Sequence, residues 1–65
     1  MDYYYIFEDY DNDCELVAVC AEDIQDAFNI LEDNGFETRL MNLVEEFPAD
    51  MYGDDIIDSY GLDVY

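Results

Sequence analysis

One five-residue segment has aspartates at alternate positions, and carboxylate oxygens in such a pattern can bind a metal ion. The segment Asp9–Asp13 reads Asp-Tyr-Asp-Asn-Asp, and an EF-hand loop also presents calcium ligands at alternate positions. The match fails further along, because a loop that starts at Asp9 has Cys14 at the glycine position and Cys20 at the position of the bidentate glutamate. We therefore predict a solvated hairpin turn and no metal site, with divalent-cation binding as an alternative.

The sequence lacks most of the side-chain types that usually carry out catalysis. The chain has no His, and its single basic residue is Arg39, so nucleophilic triads and most general-base arrangements lose their members. A pair of carboxylates can hydrolyse a glycoside, but only in a cleft that buries a sugar and shifts one pKa. A chain of 65 residues rarely forms such a cleft. We predict that the protein is not an enzyme and uses no cofactor.

The two cysteines are predicted to be reduced. Cys14 and Cys20 lie six residues apart in a predicted strand, so about 20 Å separates them at about 3.3 Å per residue. A disulfide requires Cα atoms within about 7 Å. We expect both thiols to be small buried core residues, as is typical of a cytosolic protein.

Charge is the extreme property of the chain. Nineteen Asp and Glu residues face one cation, for a net charge of −18, whereas a small soluble domain typically carries about 2 to 8 charges. Duplex DNA has one charge per about 1.7 Å of axis, so eighteen charges correspond to about 31 Å of duplex. A globule of this length is about 28 Å across. The charge density predicts an imitation of DNA, and an acidic surface for solubility or high salt is the alternative.

Carboxylates spaced about 5–7 Å apart on a helix or strand form rows. Tyrosine is enriched at interface hot spots, and at least one of the three consecutive tyrosines must face outward because strand side chains alternate. Their alternative role is to cover the second face of a thin sheet. We predict a partner-binding set made of two acidic rows and two tyrosines: Glu22, Asp26, Asp33, Asp54, Asp55, Asp58, Tyr3 and Tyr5.

The elements that position these residues begin with a hairpin. Two aromatic and β-branched runs, Tyr3–Phe7 and Leu16–Val19, flank a polar break at residues 10–13, which predicts two paired strands. From Glu22 the apolar residues follow helical spacing. Gly35 ends that helix in the left-handed conformation.

The second half of the chain is predicted to be mainly helical. Thr38 caps a second helix that Pro48 ends, although a strand over residues 36–41 is the alternative. A third, short helix begins near Asp54 and ends before Gly61, and residues 62–65 add a short strand to the hairpin. The predicted fold is α+β, an N-terminal hairpin packed by about three short helices, in one acidic domain of residues 1–65.

No segment of the sequence indicates a membrane or an export signal. The longest apolar run, Leu16–Ala21, is far shorter than the roughly 20 residues that span a bilayer. The chain also lacks a basic start followed by an apolar stretch. We expect a protein of the bacterial host cytoplasm.

In size, acidity and near-absence of basic residues, the whole chain resembles the small phage-encoded DNA-mimic inhibitors. That group includes anti-restriction proteins, uracil-glycosylase inhibitors and anti-CRISPR proteins. The resemblance implies a basic DNA-binding protein or effector complex of the host as partner, with no direct binding to nucleic acid or membrane. Within the group we favour an anti-CRISPR protein that blocks target-DNA binding. The alternatives are an acidic immunity or anti-restriction protein against a basic nuclease, a divalent-cation-binding domain and a halophilic acidic domain.

Overall fold

One antiparallel sheet forms the centre of the molecule. The computed structural model describes residues 1–65, and its strands are β1 (Tyr3–Asp9), β2 (Glu15–Ala21) and β3 (Met41–Pro48). Their order is β2-β1-β3, so β1 pairs on both sides. The predicted hairpin of β1 and β2 is confirmed.

Two helices cover opposite faces of this sheet. Both outer strands run antiparallel to β1, so they are parallel to each other and require a crossover connection. That connection contains α1 (Ile24–Asp33), which packs on one face. The second helix, α2 (Met51–Tyr60), follows β3 and packs on the other face. The architecture is therefore three layers, helix on sheet on helix.

Each face has its own small core. The buried residues on the α1 side are Tyr5, Phe7, Val17, Val19, Ala21, Ala27, Leu31 and Met41. Those on the α2 side are Ile6, Ala18, Phe47 and Ile57. Because successive strand side chains point to opposite faces, β1 contributes to both clusters.

Helix α1 is capped at both ends, and the glycine cap predicted at its C-terminal end is confirmed. Asp23 is the N-cap, and its carboxylate accepts a hydrogen bond of 2.8 Å from the backbone N–H of Asp26. At the other end Gly35 has φ +85°, and the N–H of Phe36 donates to the carbonyl of Leu31 at 3.0 Å. This pattern is a Schellman cap, which glycine forms without steric cost.

The α+β class is confirmed, but the predicted number and order of helices are wrong. The segment predicted as a second helix forms a short 3₁₀ turn, Thr38–Leu40, followed by strand β3. The alternative strand over residues 36–41 had the right type of structure but lay too early in the chain. The physical reason is that β1 is buried on both faces and exposes backbone N–H and C=O groups on both edges. These groups need a second partner strand, so helices and strands are interleaved.

The C-terminal half otherwise follows the prediction. The third predicted helix exists as α2 but begins at Met51, because Asp50 accepts hydrogen bonds of 3.0 Å from the N–H groups of Tyr52 and Gly53. The short strand predicted over residues 62–65 is reduced to a single parallel bridge between Val64 and Ala18. Neither helix has the length and apolar character needed to cross a membrane.

The cysteines differ from the prediction in one respect. Both are free, and Cys20 is half-buried, but Cys14 is exposed in the hairpin turn. It follows Asp13, and the two residues have φ values of 59° and 57°. A turn residue in this left-handed conformation points away from the sheet, so the expectation that Cys14 lies in the core is wrong.

Candidate acidic interface

The acidic side chains form the surface of the molecule on every side. All but two of the nineteen are exposed; Glu8 is half-buried and Asp9 is buried. The sole ion pair joins Arg39 to Glu37, with 3.4 Å between Nε and Oε2. Almost none of the negative charge is therefore neutralised within the protein.

The hairpin turn uses its carboxylates for local structure. The Asp9 carboxylate accepts a hydrogen bond of 3.1 Å from the N–H of Asp11, which opens the 3₁₀ turn Tyr10–Asn12. The side chain of Asn12 donates to Glu15. No group of three or more Asp, Glu, Cys or His side chains lies close enough to hold a metal ion.

The predicted row on the first helix is shorter than expected. Asp26 and Asp33 are exposed, and seven residues of helix bring them to the same side of α1. Glu22 is also exposed, but it precedes the Asp23 cap and lies outside the helix. We call Asp26 and Asp33 the α1 row.

The predicted row on the last helix is complete. Asp54, Asp55 and Asp58 are all exposed on α2, and we call them the α2 row. The Tyr4 hydroxyl donates a hydrogen bond of 2.5 Å to the Asp54 carboxylate. That bond raises the pKa of Tyr4 to about 12, because it favours the neutral phenol beside a negative charge.

A second phenol holds a carboxylate on the same face of the sheet. The hydroxyl of Tyr60, on α2, donates to the carboxylate of Glu45, on β3. This hydrogen bond raises the pKa of Tyr60. Carboxylates on the α2 face are thus oriented by the fold and not only by repulsion from their neighbours.

The two rows lie on opposite sides of the molecule. The α1 row belongs to the layer above the sheet and the α2 row to the layer below, because the helices pack on opposite faces. The structure does not bring the rows together into one patch. The molecule measures 31 × 22 × 16 Å along its principal axes, so it is a slab with acidic layers on both broad sides.

The two tyrosines of β1 that were predicted to bind a partner are less exposed than that role requires. Tyr5 is only 3% exposed, and burial raises its pKa. Tyr3 is half-buried and packs beside it, with 6.3 Å between ring centroids. In this conformation Tyr5 offers no surface to a partner.

Sequence reasoning missed two strongly exposed apolar side chains on α2. Met51 is 80% and Tyr52 is 78% exposed, in the first turn of α2 beside the α2 row. The available signal was Asp50, a favoured N-cap residue. A helix that begins after Asp50 has Gly53 and Ile57 on its inner side, which leaves Met51 and Tyr52 in solvent.

The arrangement offers dense fixed negative charge, two oriented phenol–carboxylate pairs and three exposed tyrosines, Tyr10, Tyr52 and Tyr65. Comparisons with protein-family models, curated proteins and solved structures find no match to this chain.

Proposed function

We propose that this protein is a non-catalytic DNA mimic that occupies the basic nucleic-acid-binding groove of a bacterial defence protein. The preferred partner is a CRISPR effector complex whose target-DNA binding is blocked in the host cytoplasm. An acidic inhibitor of a basic nuclease is the related alternative. In each case the partner is a protein, and nucleic acid is what this chain replaces.

The observation that carries the proposal is the match between charge and length. The longest dimension of the slab is 31 Å, and the net charge is −18. Duplex DNA of that length carries about eighteen phosphate charges, at one per about 1.7 Å of axis. A groove lined with Lys and Arg therefore meets the same charge per unit length from this protein as from its duplex.

The distribution of charge supports the same conclusion. A duplex presents phosphates around its whole circumference, and the slab presents carboxylates in both helical layers and along the sheet. Charges held on a folded scaffold need little ordering when they bind. Attraction over a Debye length of about 8 Å also steers a basic partner toward such a surface.

The apolar anchor of this interface is assigned to Met51 and Tyr52, in place of Tyr3 and Tyr5. Exposed aromatic side chains surrounded by polar residues supply much of the affinity in protein interfaces. Tyr52 has this setting because it is exposed in the first turn of α2, beside the α2 row. Tyr52→Ala tests the assignment, and Tyr10→Ala, at a 55% exposed tyrosine in the hairpin turn, is the matched control.

The experiment is competition for a captured partner. The immobilised protein captures basic proteins from a bacterial lysate, and each captured protein is then incubated with a fluorescent duplex that it binds. We expect this protein to displace the duplex, so that the fluorescence anisotropy falls to the value of free DNA. A ternary complex that retains the duplex contradicts the proposal.

Two variants with the same net charge separate geometry from bulk charge. Asp26→Asn with Asp33→Asn neutralises the α1 row. Asp55→Asn with Asp58→Asn removes two of the three charges of the α2 row and keeps Asp54, the acceptor of Tyr4. A groove that encloses the slab should lose affinity with either pair. If neither pair changes displacement, the carboxylates are not the recognition surface.

A further inference from the structure

The outer edge of β3 is open over residues 42–46. The outer edge of β2 is covered by the C-terminus at Ala18 and Cys20, because the N–H of Tyr65 donates to Ala18 at 2.9 Å and the N–H of Cys20 donates to Tyr65 at 3.2 Å. β3 pairs with β1 and has no neighbour on its other side. Outside the sheet ladder, no backbone hydrogen bond involves residues 42–46. An edge of this kind presents unpaired N–H and C=O groups that another strand can join.

The side chains of this edge are also uncovered. Residues 42–46 are exposed without interruption, although β3 is eight residues long. Leu43 is 39% and Val44 is 47% exposed, because α1 packs mainly over β2 and leaves this side of β3 free. The edge thus combines free backbone groups with an apolar surface.

Two carboxylates of β3 point to opposite faces of the sheet. Glu46 pairs with Tyr5 and lies on the α1 side, whereas Glu45 pairs with Ile6 and lies on the α2 side. Glu45 is also held by the Tyr60 hydroxyl. A strand added at this edge would place two successive side chains opposite these carboxylates, one on each face.

The negative charge of the β3 edge determines which kind of strand can pair with it. A second copy of the chain would bring its own Glu45 and Glu46 and a further charge of −18 to the same edge, and like charges on neighbouring strands are destabilising. A strand with adjacent Lys or Arg residues does not meet this repulsion.

We propose that the open edge of β3 binds an extended, lysine- or arginine-bearing segment of the protein partner, which pairs as a fourth strand. Leu43 and Val44 contact apolar residues of the segment, and Glu45 and Glu46 pair with two consecutive basic residues. Main-chain hydrogen bonds supply affinity and alternate side chains supply specificity in such strand addition. The inference depends on the proposed function only in taking the partner to be basic.

A synthetic peptide tests this without knowledge of the partner. The probe is a capped nine-residue peptide of alternating threonine and valine with two adjacent lysines at its centre. At a free concentration of about ten times its Kd, we expect amide exchange of residues 42–46 to slow by about tenfold, since only the unbound protein exchanges. Amide shift changes in the NMR spectrum should be confined to β3 and its neighbour β1.

The control peptide has the same side chains and charge but is N-methylated at alternate residues, which removes the donors on one edge. We expect it to lose the protection of β3. Equal binding by both peptides, or shift changes spread over α1 and α2, would overturn the inference. Either result would mean that the peptide binds through nonspecific electrostatic attraction.

Substitutions in the edge provide a second readout. Leu43→Thr with Val44→Thr keeps strand propensity and removes the apolar contact, and Glu46→Gln removes one charge pair. Each should weaken the peptide about fivefold, whereas Ile24→Thr, at an exposed position of α1, should not. A dimer in sedimentation velocity that Leu43→Thr abolishes would identify a second copy as the occupant and refute the proposal. Failure to displace DNA with peptide binding intact would instead refute only the mimicry.

Discussion

Gly53 lies where the first turn of α2 passes the end of β3, and its replacement by alanine sets two effects of opposite sign against each other. A Cβ atom at this position would stand 2.1 Å from the carbonyl oxygen of Pro48 and 3.3 Å from the ring of Tyr4. Ordinary contact begins at 3.4 Å. The oxygen belongs to backbone, so a shift of more than 1 Å must come from the helix or the strand.

The magnitudes favour destabilisation. Alanine in place of glycine stabilises a helix interior by about 0.8–1 kcal/mol. Overpacking costs about 1–3 kcal/mol, and a contact of 2.1 Å with a backbone oxygen places Gly53→Ala in the upper part of that range, about 2–3 kcal/mol. We expect the free energy of unfolding to fall by about 1–2 kcal/mol, which lowers Tm by about 5–15 °C in a domain of this size.

The assay is thermal and urea unfolding of Gly53→Ala beside Ser59→Ala. Ser59 is exposed on the same helix, so its alanine variant reports helix propensity without the clash and should leave Tm within a few degrees of the parent. The reasoning is refuted if Gly53→Ala raises Tm, because the close approach of α2 to Pro48 would then not exist.

Three further predictions concern stability. Cys14→Gly should raise the free energy of unfolding by about 1 kcal/mol under reducing conditions, since the left-handed conformation strains a non-glycine residue; an unchanged urea midpoint would contradict this. Asp50→Ala should lower it by about 1 kcal/mol through loss of the α2 cap, with a parallel loss of helical circular dichroism. Tyr4 has a folded-state pKa of about 12 against an ordinary 10, so the unfolded chain loses its proton first and stability should fall between about pH 10 and 12. That slope should be smaller in Tyr4→Phe.

The elements that sequence reasoning predicted correctly are those with local signals. The hairpin and α1 each carry a turn or cap within a few residues of their ends, such as Asp23 and Gly35. β3 was missed because Leu40, Val44 and Phe47 fit helical spacing. The third strand is needed because β1 has backbone N–H and C=O groups on both edges, and these groups require a second partner strand. Three consecutive apolar residues at positions 5–7 were the available signal, since a strand buried on both faces lies inside a sheet and needs two partners.

The candidate interface was predictable in its charge but not in its placement. Exposure of the acids follows from their chemistry, because an unpaired buried carboxylate is costly. The separation of the α1 and α2 rows depends on which face of the sheet each helix covers, and that depends on the missed strand. Tyr5 was assigned to the surface because the alternation of side chains along a strand does not say which face is buried. Both faces of this sheet are buried, one under each helix.

The measurement that tests the mimicry most directly is a salt series on one captured partner. Salt screens repulsion among the carboxylates, so the free protein should become more stable as sodium chloride rises to about 0.3 M, where the Debye length is about 6 Å. Displacement of the duplex should weaken over the same range. The variant that removes four charges from the two rows, Asp26→Asn, Asp33→Asn, Asp55→Asn and Asp58→Asn, should show a flatter dependence of log Kd on log salt. Displacement that is indifferent to salt and to these four substitutions, or a protein that stays unfolded below about 1 M salt, would contradict the account.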